Sequence, residues 1–148
     1  MKAFDQSKEV ESAEISAFLA GAVSDGASSR QVAEMVASAF RDIDQALTPI
    51  IGQRGVAALY KRSMHLASQT HPWLRRPREG VHPAMDVAAL TTDLALRTAA
   101  AAAAAGGQLL QTFCDLLTSL IGASLTERLL RTVWATFLSG PSVQETTS

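Results

Sequence analysis

Residues 108–138 read QLLQTFCDLLTSLIGASLTERLLRTVWATFL, and the rest of the chain is read around them. Leu109, Leu110, Phe113, Leu116, Leu117, Leu120 and Ile121 recur at helical spacing, while Gln111, Thr112, Asp115, Thr118 and Ser119 fill the other side. Gly122 ends that helix, because glycine takes a positive φ without steric cost. Ser124 and Glu127, three apart, predict a capping box that opens a second helix. Leu125, Leu129, Val133 and Phe137 carry its apolar face. The pattern specifies a helical hairpin and no reaction.

A chain of 148 residues is one domain's worth and long enough to bury a core. Its 26 alanines favour helix, since alanine loses least on entering one. No segment shows the two-residue alternation of a half-buried strand. The expected class is all-α, a five- to six-helix bundle with a C-terminal helical hairpin. Residues 1–28 read as a partly flexible N-terminal helical arm, free to pack on a partner chain. Residues 29–138 read as a single helical domain, and 139–148 as a disordered tail.

Along that domain, Val32, Met35, Val36, Ala39, Phe40, Ile43 and Leu47 form one stripe behind a Ser28 or Ser29 cap. Thr48 and Pro49 predict a stop and a restart there, with proline at a first helical position. Residues 71–83 hold Pro72, Pro77, Gly80 and Pro83 and read as an irregular connection, anchored on the core by Trp73 and Leu74. A helix over 83–105 follows, with Asp86, Asp93 and Arg97 on its polar side and Asp93–Arg97 as an i,i+4 pair. The seven alanines at 99–105 permit close approach of another helix, and Gly106-Gly107 predicts a break or kink after them.

The net charge of −1 and aromatic content of 5% argue against nucleic acid and anionic membrane as partners. The longest apolar run, seven residues, falls short of the roughly 20 a membrane span needs. Asp5, Glu9, Glu11 and Glu14 are not what a signal peptide carries. Cys114 is the lone cysteine, which excludes an internal disulfide and suits a reducing, cytoplasmic setting.

Residues 50–56, IIGQRGV, resemble the Ile-Gly-x-x-Gly loop of KH domains, where two glycines let the backbone clamp a nucleic-acid strand. That fold needs flanking strands, and both flanks here read as helix, so Gly52 and Gly55 are expected to form a smooth patch for helix packing. The run SLTERLLR at 124–131 resembles segments of bacterial helical regulators, a pattern too generic to assign roles to residues. Arg75, Arg76 and Arg78, with Trp73 and His71, form a candidate site for an anionic ligand or an acidic partner, with Lys61 and Arg62 near in sequence. His65 lies mid-helix but lacks the Lys-Gly that follows a phosphotransfer histidine. His71 and His82 lack a supporting metal-ligand pattern. Cys114 sits beside Asp115, which disfavours a reactive thiolate. No nucleophile triad, phosphate loop or catalytic carboxylate pair is visible, so the expectation is a protein without enzymatic activity, cofactor or metal.

Adjacent leucines put apolar surface on more than one side of the C-terminal helices, and Trp134 points away from the main stripe by spacing. Leu109, Phe113, Leu116, Leu117, Leu120, Leu130 and Trp134 are therefore the expected interface of a homodimer. The function this implies is that of a small regulatory or adaptor protein acting through protein–protein contact, with an unknown protein partner. The alternative is a sensory domain that holds a small apolar or anionic ligand between helices, with residues 71–83 as the rim.

Overall fold

Ser28 opens the longest element of the protein with a reciprocal cap. Its hydroxyl accepts from the Gln31 amide at 3.1 Å, and Gln31 Oε1 accepts from the Ser28 amide at 2.8 Å. A computed structural model describes residues 15–74 and 87–139. Among them every regular element is an α-helix: α1 over the described residues 15–24, α2 Ser29–Thr70, α3 Val87–Ala95, α4 Ala99–Ile121 and α5 Ala123–Ser139. Residues 1–14, 75–86 and 140–148, on which the arm's start, the basic cluster and the tail fall, lie outside the described residues.

The stripe Val32, Val36, Ala39, Phe40, Ile43 and Leu47 is buried along α2 as its spacing predicts. The expected stop at Thr48–Pro49 does not occur. Thr48 stays helical and its hydroxyl donates to Asp44 Oδ1 at 3.0 Å, one turn back. The helix breaks three residues later, at Gly52, with φ 83 and ψ 159. Proline costs the helix one hydrogen bond, whereas this backbone region is open to glycine and essentially closed to any residue with a Cβ. The break is sharp. The rings of Phe40 and Tyr60 meet edge to face at 5.3 Å, although a straight helix would hold residues that far apart in sequence about 30 Å from each other. Residues 53–70 therefore fold back on residues 29–51.

The helix expected over 83–105 divides earlier than its glycines suggest. α3 ends at Ala95, and Thr98 caps α4, its hydroxyl accepting from the Ala101 amide at 3.1 Å. α4 then runs unbroken through Gly106 and Gly107. The reason is packing. A Cβ on Gly106 would lie 2.6 Å from Val36 Cγ2, and one on Gly107 would touch Leu19 and Ser16 at 3.5 Å. Tertiary contact with α2 on one side and α1 on the other offsets the roughly 1 kcal/mol that each glycine costs a helix. Ala102 and Ala105, from the alanine run, are buried as small contact residues should be. Asp93, expected on the wet side of its helix, is buried, and Arg97 stands beyond the end of α3 rather than one turn along it.

Gly122, at φ 94 and ψ 153, closes α4 and opens α5 in one residue. Its amide donates to the Thr118 carbonyl at 2.8 Å, and its carbonyl accepts from the Thr126 amide at 3.1 Å. It thus fills the cap position expected for Ser124, which lies inside the first turn of α5. One buried cluster draws on all five helices, with Ile15 and Leu19 of α1 packed into it together with Leu74. The described part of the N-terminal arm therefore packs on its own chain. No helix among the described residues is long and apolar enough to cross a membrane.

Candidate interaction surfaces

Five of the seven residues expected at a dimer interface lie inside the single chain. Leu109, Phe113, Leu117 and Leu130 are fully buried, and Trp134 is 6% exposed. The expectation misplaces them because the spacing shows how much apolar surface the helices carry, not which neighbour covers it. Phe40 of α2 meets Phe113 edge to face at 5.7 Å. On α5, Phe137 packs between Trp134 at 6.0 Å and Phe18 of α1 at 5.2 Å. The described part of the arm thus packs on Phe137 of α5 within the same chain. Leu116 stays half-buried, and Leu120 is 61% exposed.

Leu120 belongs to a different surface. Among the described residues the exposed large apolar side chains are Ile50, Leu96, Leu120 and Leu125. Three of these four flank a glycine break: Ile50 precedes Gly52 by two residues, Leu120 precedes Gly122 by two, and Leu125 follows it by three. The contacts Val36–Gly106 and Phe40–Phe113 show residues 29–51 and α4 running side by side in the same direction. Gly52 lies 16 residues beyond Val36, and Gly122 lies 16 beyond Gly106. Counted from Phe40 and Phe113 the distances are 12 and 9 residues, so the two breaks fall toward the same end of the paired helices, within about one turn of each other.

Away from the breaks, where the end of α2 meets Gln108 in the middle of α4, stand the two described residues of the expected basic site. Leu74 is buried, its amide donating to the His71 carbonyl at 2.9 Å, so the chain leaving α2 is anchored as the sequence predicts. His71 Nε2 lies 3.0 Å from Gln108 Oε1, and Gln108 Nε2 donates to the Thr70 hydroxyl at 3.3 Å. The half-buried Trp73 ring meets His71 edge to face at 6.0 Å and carries the Arg97 guanidinium 4.7 Å from its centroid. Arg97 and Gln108 were not legible as members of this corner: one read as the helical mate of Asp93, the other as a residue after a break. Arg75, Arg76 and Arg78 fall outside the described residues.

The remaining candidates separate in the same way. Gly52 is a turn with nothing within 4 Å of a Cβ, and a Cβ on Gly55 would meet first Ile51, on the other side of the break, at 3.3 Å. The smooth helix-packing patch expected of that pair is supplied instead by Gly106 and Gly107. Helices flank the IIGQRGV run on both sides, so the strands a KH loop requires are not there. His65 is exposed on α2, Cys114 is half-buried on α4, and no group of three or more His, Cys, Asp or Glu among the described residues could hold a metal ion. Gly106 of α4 is approached by Val36 of α2, and Gly107 by Leu19 and Ser16 of α1. The chain matches no protein-family model, no curated protein and no solved structure.

Proposed function

We propose that the protein is a helical adaptor without catalytic activity, which acts by protein–protein contact and pairs with a second copy of itself. In this reading the helices form one bundle of two hairpins, residues 29–70 and α4–α5, both turning at glycine. The pairing surface is the end that carries the turns. The observation behind it is that Ile50 (53% exposed), Leu120 and Leu125 (38%) each stand within three residues of a break at the same end of the paired helices, while Leu96 (72%) stands apart from them in the α3–α4 link.

Three side chains cover a few hundred Å², less than the roughly 800 Å² per partner of a stable interface, so the pairing is weak and concentration-dependent. A two-fold contact suits such a patch, because one copy presents to the other the same apolar residues that it needs covered. Sedimentation velocity over a concentration series tests this. The expected result is a shift from monomer to dimer that Leu120→Asp and Ile50→Asp each abolish, with the helical circular dichroism unchanged. A wild-type mass that stays monomeric up to about millimolar protein, where a Kd corresponds to only about 4 kcal/mol, removes the self-association reading.

A further inference from the structure

The part of α2 that follows its break carries charge of one sign. Arg54, Ala58, Lys61, Arg62, His65 and Gln69 recur at spacings of three or four and share the outward side of residues 53–70. All are exposed except Lys61, which is half-buried. From Arg54 to His65 the row is about 17 Å long at the rise of an α-helix. No Asp or Glu occurs anywhere between Asp44 and Glu79. Among the described residues Arg54, Lys61 and Arg62 form no ion pair. On the neighbouring elements Asp44 accepts from Thr48, Asp93 is buried and Asp115 of α4 has interactions of its own, while Glu34 and Asp42 lie on the other arm of α2.

We propose that this row is a docking stripe for an acidic helix of a partner protein. The inference rests on the reading of the chain as an interaction module but uses a different face from the one through which it pairs. Arg54 lies two turns from the adjacent Lys61 and Arg62, and residues 53–70 hold no carboxylate to offset the repulsion among them. An opposing row of carboxylates at the same spacing turns it into attraction, and exposed Ala58 in the middle of the row lets a second helix lie close. A protein fits better than a nucleic acid. The chain as a whole is net negative, the row is one helix wide, and it carries no aromatic ring on which a base could stack.

The probe is a labelled alanine-based helical peptide with glutamates at i, i+4, i+7 and i+11, titrated with the full chain and followed by fluorescence anisotropy. Its glutamine counterpart and a single-stranded DNA of equal charge serve as comparisons. The expected result is binding that weakens at least about tenfold in the triple variant Arg54→Glu, Lys61→Glu, Arg62→Glu, and likewise between about 10 mM and 1 M salt, as the Debye length falls from about 30 Å to about 3 Å. Charge reversal at exposed Arg41, in the first part of α2, should leave the affinity unchanged. Equal binding of the glutamine peptide, insensitivity to the triple variant, or tighter binding of the DNA each overturns the proposal. Leu120→Asp keeps the two readings apart: it removes pairing and leaves peptide affinity intact, so either reading can fail while the other stands.

Discussion

A methyl group added at Gly106 collides with Val36, which is fully buried and, being β-branched, has few rotamers to turn into. Gly106→Ala is therefore expected to lose stability, an overpacking cost of about 1–3 kcal/mol set against about 1 kcal/mol gained in helix propensity. Gly107→Ala meets its neighbours at ordinary van der Waals distance, so the same propensity gain leaves it neutral or slightly stabilised. Urea denaturation of the two variants checks this, and a larger loss at Gly107 would contradict the packing described here. In a Val36→Ala background the cost of Gly106→Ala should shrink, since the clashing methyl is gone. Thr126 offers the opposite case. It is buried in the first turn of α5, and its hydroxyl has no hydrogen-bond partner among the described residues. Thr126→Val keeps the branched shape and removes the desolvated oxygen, so a gain of about 1 kcal/mol is expected, read as a higher denaturation midpoint.

Gly52 and Gly122 share nearly one backbone geometry, at φ 83 and 94 with ψ 159 and 153, and each joins two helices without an intervening loop. Alanine at either position must leave that region or remain strained, at a cost of about 1–3 kcal/mol. The same change at Gly21, helical and with nothing within 4 Å of a Cβ, should be neutral or favourable. A thermal melt showing all three alike would argue against the turns. The Gly122 stop was readable in advance because an apolar run ended there and another began. The Gly52 break was not, since Pro49 three residues earlier is locally the stronger punctuation and the fold-back is enforced by distant contacts such as Phe40–Tyr60. Gly106 and Gly107 misled for the converse reason: propensity prices a glycine, but only the neighbouring helix shows what its missing side chain makes room for. Of the candidate site, Trp73, His71 and the Leu74 anchor could be read in the sequence, whereas Arg97 reaches Trp73 across 23 intervening positions.

All five helices and Leu74 contribute to one buried cluster, so the molecule is expected to unfold as one cooperative unit. Its two tryptophans make this testable: Trp134 reports on the α1–α5 contact and Trp73 on the corner beneath Arg97. Single-tryptophan variants made with Trp73→Phe or Trp134→Phe should give fluorescence transitions that coincide with the loss of helical circular dichroism in the same variant. An earlier transition at Trp73 alone would mark that corner as a separate unit. The burial of the leucines of α4 and α5 was foreseeable from their pattern, but not that their cover would come from within the chain. The fold-back at Gly52 also gives the polypeptide a second way to satisfy the same contacts. Straightened at that one residue, α2 would be a rod about 63 Å long. Phe40 of one molecule could then receive Tyr60 from another, exchanging identical halves in an intertwined pair. A stiffer residue at the pivot would shift the population toward that exchanged form, detectable as a dimer that dilution separates only slowly.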